Sequence, residues 1–163
     1  VSHREYSQHG FIPGLARRME HYALPPGSLE IEIPEADLIR NPGLGRDLSA
    51  QLREVGVALS LDEFGKGISD LSFLRQLSVC QVKLSKAAVH DIAREGKDSR
   101  LAKTLIDIGH NLDLAVVGEA VETEAQVDFL RSHGCDQLQG QWFSEPLPAE
   151  AVRRMLDQRY HAS

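Results

Sequence analysis

Apolar residues recur along this chain in two alternating rhythms. Ile12, Leu15, Ala16, Met19 and Tyr22 form one stripe at helical spacing, and Pro25, Pro26 and Gly27 stop that helix. The preceding Val1 to Gly10 is polar and shows no element. In Leu29–Ile33 the period drops to two, with Leu29, Ile31 and Ile33 on one face and Glu30 and Glu32 on the other. Pro34 is expected to end that strand, because proline cannot donate to a central ladder. Leu44, Leu48, Leu52 and Val55 space out a second helix, closed by Gly56. The strand from Val57 again alternates: Val57, Leu59 and Leu61 oppose Ala58, Ser60 and Asp62. It ends at Asp62 and Glu63, where Gly65 and Gly67 supply the positive φ angles of a folded-back loop.

The same alternation continues to the end. A helical turn over Leu71–Leu77 leads to the strand Cys80–Ser85, with Val82 and Leu84 opposite Gln81, Lys83 and Ser85. Leu101, Leu105, Ile108 and Leu112 mark a long helix with Asp98 or Ser99 as its cap. Leu114–Ala120 is a strand. Thr123 and Gln126 have capping-box spacing for the helix that carries Val127 and Leu130 and ends at Gly134. Asp136–Gly140 is a last short strand, and Pro148 opens a final helix through Val152, Met155 and Leu156. Helices alternating with strands, joined by long connections, predict one α/β domain over residues 1–163 with a parallel sheet.

The polar residues decide between α/β architectures. A doubly wound sheet buries both faces, so its strands read as continuous apolar runs. Here one face of the successive strands carries Glu30 and Glu32, Ser60 and Asp62, Gln81, Lys83 and Ser85, Glu119, then Gln137 and Gln139. Any one of these could be a solvated surface group, but five strands repeating the pattern predict a barrel interior converging on a polar site at its C-terminal mouth.

Composition narrows the possibilities. The 163 residues are 42% hydrophobic and 26% charged, enough for a real core. A formal net charge of −6 argues against binding a nucleic-acid polymer. Cys80 and Cys135 form no metal or redox pattern and are expected to be buried thiols in a reducing compartment. No stretch has the length of a membrane span and the first residues lack a signal-peptide core, so a soluble, cytoplasmic protein is expected.

Glu32, Asp62, Glu63 and Glu119 offer hard oxygen ligands suited to Mg²⁺ or Mn²⁺. Clustered carboxylates can hold two such ions, which activate water and stabilise an oxyanion leaving group. Lys83 adds a cation that orients water or balances phosphate charge; the alternative is a structural ion pair with Asp62. Gln139 can bind a ligand through its amide. Phosphoester hydrolysis is the natural reaction class. No Walker loop, GxSxG, HExxH or histidine cluster competes, and the seven histidines lie mostly near helix ends or termini.

The segments LEIEIPE (29–35), LSLDEFGKG (59–67), VKLS (82–85), VVGEAVET (116–123) and QGQWFSEPLP (139–148) resemble, in order and spacing, the motifs of the EAL domain of bacterial cyclic di-GMP signalling. The resemblance implies a TIM-like (β/α)₈ barrel that cleaves cyclic di-GMP to linear pGpG with Mg²⁺ or Mn²⁺. It implies Glu32, Asp62, Glu63 and Glu119 as metal ligands and Lys83 as the lysine near the catalytic water. Glu35 would anchor the loop after Glu63, Gln139 would line the site, and Glu122 matches the second acid of its motif.

Departures qualify that expectation. The opening strands of the family pattern, including the EAL tripeptide, have no counterpart, leaving a partial barrel of about five of the eight strands. Glu63 and Ser85 replace aspartates, Lys66 a threonine, Ile68 a tyrosine and Pro34 a threonine. The expectation is a degenerate domain that binds cyclic di-GMP or a protein without hydrolysis. The alternative is an active phosphodiesterase completed by strands or a partner outside this chain. Open sheet edges also suggest a homodimer, or association with another signalling domain.

Overall fold

A computed structural model describes residues 1–66, 71–93 and 99–160 of the chain. The expected loop residues Gly67 and Ile68, and the alternative helix cap Asp98, lie outside those residues. After α1 (His3–Tyr6) and α2 (Phe11–His21), the chain runs β1 (Glu30–Pro34), α3 (Glu35–Arg40), α4 (Pro42–Glu54), β2 (Ala58–Phe64), α5 (Leu71–Leu74) and β3 (Gln81–Leu84). It continues through α6 (Lys86–His90), a 3₁₀ turn (Asp91–Ala93), α7 (Arg100–Asn111), β4 (Ala115–Gly118), α8 (Glu124–Ser132), β5 (Gln137–Leu138) and α9 (Ala149–Tyr160).

All adjacent strands pair in parallel, in the spatial order β1-β2-β3-β4-β5. Sequential order means that every crossover steps the same way. Because crossovers are almost always right-handed, a sheet wound in one direction carries its helices on one face. A doubly wound sheet would reverse its order partway. The observed order is therefore that of a barrel segment, with one covered face and one facing the interior.

Burial follows the alternation. Ile33, Leu59, Leu61, Val82, Leu84 and Val116 are at most 1% exposed and join Leu48 and Leu52 of α4, Ile106 of α7 and Leu130 of α8 in one core. Each such side chain contributes about 1.5–3 kcal/mol on burial. Thr123 accepts the Gln126 amide N–H while Gln126 Oε1 accepts the amides of Glu122 and Thr123, which is the expected capping box of α8.

Several expectations are corrected. The polar opening contains α1, where Glu5 accepts from both the amide and the hydroxyl of Ser2. Pro34 is the last residue of β1 rather than the stop before it, paired in register with Asp62. Helix α3 was not expected; it begins directly on Glu35, leaving no turn to mark it. β4 and β5 are shorter than their patterns, so Glu119 and Gln139 follow the strands instead of lying within them. Cys80 is exposed and Cys135 half-buried, not fully buried thiols. Their S–H groups donate to the carbonyls of Leu59 and Val116, and burial of the sulfur raises both pKa values, that of Cys135 to about 11.

Candidate functional site

The interior face is organised by what β2 lacks. Before Asp62, β2 presents only Ala58 and Ser60 there, and these small residues let side chains of β1 and β3 meet across it. In a lower tier Gln81 Nε2 donates to Glu30 Oε1. In the tier above, Lys83 donates to Glu32 and also pairs with Glu119 beyond β4. Ser60 is fully buried between them, and its hydroxyl has no partner among the described residues.

Lys83 is the centre of this arrangement. Its side chain is 4% exposed, and burial alone would push its pKa down. The hydrogen bonds that it donates to Glu119 and Glu32 outweigh that, and the ammonium is held above the usual lysine value. The alternative of an ion pair with Asp62 is corrected: Lys83 is paired, and its partners are Glu32 and Glu119.

Asp62 and Glu63 occupy a break in the ladder. Leu61 pairs with Val82 and Phe64 with Leu84, so two residues of β2 stand opposite Lys83 alone on β3. This extra residue is a β-bulge, a device that re-aims side chains. Glu63 adopts φ 59°, a left-handed conformation costing a non-glycine residue about 1–2 kcal/mol. Asp62 Oδ1 accepts the Glu63 amide at 2.7 Å, and the Glu63 carboxylate pairs with Lys66. Glu35, at the start of α3, is buried; the loop it was expected to anchor extends beyond the described residues.

The other half of the mouth is a cleft of about 750 Å³ at the ends of β4 and β5. It is lined by Glu119, Glu122 and Gln139, three of the residues singled out in the sequence, together with Lys86, Gln141 and Phe143. Ala120, at φ 54°, turns the chain immediately after Glu119. The two strand ends are then clasped: Gln139 N donates to Gly118 O, and Val121 N to Gln139 O. Gly140 fits this clasp because any Cβ would lie 2.2 Å from the Val121 backbone. Sequence reasoning missed Lys86, Gln141 and Phe143 as wall residues. Their signal was adjacency, since Gln141 and Phe143 lie inside the motif carrying Gln139 and Lys86 directly follows Ser85.

The donor set of Glu32, Asp62 and Glu119 has the chemistry a hard divalent cation requires. Among the described residues, however, no three acidic, histidine or cysteine side chains are gathered closely enough to hold one. Glu32 and Glu119 converge on an ammonium, and Glu63 turns to Lys66. As arranged, these residues do not fit a metal.

Residues 1–146 match the sequence profile of the EAL domain. The chain belongs to the EAL domain family. It is 34% identical over 156 residues to the Bacillus subtilis signaling protein YkoW, covering 96% of this chain and 20% of that protein. Among solved structures, the PaMucR phosphodiesterase in complex with c-di-GMP superposes with a TM-score of 0.88 at 30% identity, covering 93% of this chain and 62% of that one. The EAL domain of Mycobacterium smegmatis DcpA gives 0.88 at 31% identity, covering 97% and 70%. The chain thus spans about a fifth of YkoW, and its five-stranded sheet is part of the EAL TIM-like barrel. No helix among the described residues of this EAL domain is long and apolar enough to cross a membrane.

Proposed function

We propose that this EAL domain binds cyclic di-GMP at the mouth formed by β1–β5 and that the chain, taken alone, does not hydrolyse it. The observation that carries the reading is the buried Lys83 shared by Glu32 and Glu119. In that position a single ammonium halves the negative charge that the two carboxylates would otherwise present to an anionic dinucleotide. The adjoining cleft supplies the Gln139 and Gln141 amides for base edges and the Phe143 ring for a base face. A PaMucR phosphodiesterase solved with c-di-GMP supports the choice of ligand, because the two chains share this fold.

Glu32, Asp62, Lys83, Glu119 and Gln139, all present at their motif positions, favour a second reading. In it, Mg²⁺- or Mn²⁺-dependent hydrolysis of cyclic di-GMP to pGpG is completed by strands or a partner chain. The residues Glu32, Asp62, Glu63 and Glu119 would then bind metal once Lys83 is drawn off to the catalytic water. Glu35 and Glu122 would support them. Exposed Val152, Met155 and Leu156 on α9 support association with a second copy or another signalling domain. Two free cysteines are consistent with action in the cytoplasm.

The deciding experiment incubates cyclic di-GMP with the purified chain and Mn²⁺, with a chelated control, and resolves the products chromatographically. Unchanged nucleotide with saturable binding by calorimetry is expected. Metal-dependent appearance of pGpG would establish the second reading instead.

A further inference from the structure

We infer that Lys66 is a resident cation of the mouth, holding Glu63 against divalent metal and turning to the phosphodiester of a bound ligand. The inference rests on the binding reading above and assigns a residue to it. Three observations meet at this side chain. The bulge in β2 stands Asp62 and Glu63 together opposite Lys83, at the C-terminal end of the sheet. Glu63 is held there in a left-handed backbone conformation, and its side chain is half-exposed. Lys66, three residues later, closes on that carboxylate.

With this pairing, three of the four acids expected to bind metal face a lysine. Glu32 and Glu119 share Lys83, and Glu63 holds Lys66. A divalent cation entering the mouth must displace an ammonium to gain any of these three carboxylates as a ligand.

The two lysines differ in what they can do next. Lys83 is buried and doubly held, so moving it would strand two acids. Lys66 and Glu63 have side chains 52% and 47% exposed, and an exposed pair of that kind contributes little to stability. Lys66 can therefore swing from a carboxylate to a phosphate at small cost. An ammonium is well suited to phosphate as a mobile point charge. Lysine at this position makes anion recognition a property of the chain, independent of added metal.

The test compares wild type, Lys66→Thr and Lys66→Arg in two measurements. Cyclic di-GMP affinity is measured by calorimetry in EDTA at two salt concentrations. Free Mn²⁺ is titrated separately by its electron paramagnetic resonance signal, without nucleotide. Expected are metal-free binding by wild type, a loss of at least fivefold with a shallower salt dependence in Lys66→Thr, and recovery in Lys66→Arg. Mn²⁺ should bind severalfold more tightly to Lys66→Thr than to wild type. Equal affinities of wild type and Lys66→Thr in EDTA, or equal Mn²⁺ titrations, would overturn the inference. Wild-type binding that requires Mn²⁺ would overturn it while leaving the binding reading intact. Absence of cyclic di-GMP binding under both conditions would overturn the two together.

Discussion

The two faces of the sheet are made by alternate residues of the same strands, yet they are held by different physics. On the helix-covered face Ile33, Leu61, Val82 and Val116 are fully buried, and many interchangeable apolar contacts hold them. On the interior face, Glu30 with Gln81 and Glu32 with Lys83 and Glu119 are held by a few specific polar bonds. The covered face tolerates substitution at constant volume. The interior face does not, because each polar group left without its partner carries the full desolvation penalty. The two faces thus fail in different ways, one residue apart along a strand: the covered face by losing packing, the interior face by stranding a partner.

The strongest challenge to this comparison is to cut one group from each face. Leu61→Ala should destabilise by about 2–5 kcal/mol through cavity formation. Lys83→Met should cost a similar amount, about 2–4 kcal/mol, by stranding Glu119 and the half-exposed Glu32. Denaturant unfolding separates the causes: adding Glu32→Gln and Glu119→Gln should recover most of the Lys83→Met loss and none of the Leu61→Ala loss. Equal recovery in both backgrounds would erase the distinction between the faces.

A smaller effect is expected at the clasp between β4 and β5. Gly140→Ala places a methyl against the Val121 backbone and should cost about 1–3 kcal/mol. It should also weaken cyclic di-GMP binding more than stability, since Gln139 and Gln141 flank it in the cleft. Calorimetric binding beside thermal unfolding would show whether the two losses part.

The mildest probe is pH. The folded pKa of Lys83 lies above its unfolded value, so its stabilisation is fully present below about pH 10.4 and is lost only as pH rises through the folded value. The stability gap between wild type and Lys83→Met should therefore be flat from neutral pH to about 9 and close in stronger base. Asp136 behaves oppositely. Burial opposes its charge, but the Val116 amide at 2.7 Å and His110 at 3.0 Å outweigh that and lower its pKa. Its contribution is present above about pH 4 and lost as pH falls through the depressed value, so Asp136→Asn should flatten the acid limb of the wild-type curve.

The alternation of Leu29–Ile33, Val57–Asp62 and Cys80–Ser85 was legible because strand period depends on local geometry alone. It predicted the covered face, the polar interior and the parallel order. Glu32 and Lys83 were legible as residues of one interior face for the same reason. The partners of Lys83 were not, because they depend on the stagger of β1 against β3 and on the small residues of β2 between them. The bulge at Asp62 and Glu63 was hidden too: an extra residue shows only against the neighbouring strand. Helix α3 was missed because β1 hands over to it at Pro34 without a turn. The short segments after β4 and β5 carry motif residues, but the cleft they enclose exists only once Gly140 meets Val121.

That clasp has a practical corollary. The chain's single tryptophan, Trp142, donates its amide N–H to Val121 O at 3.0 Å, is half-exposed, and lies in sequence between two wall residues, Gln141 and Phe143. The molecule carries its own fluorophore on the rim of the mouth. If the proposed nucleotide binds there, the emission colour of this ring and its quenching by iodide would follow it in real time with no dye attached, under red-edge excitation that leaves the three tyrosines silent.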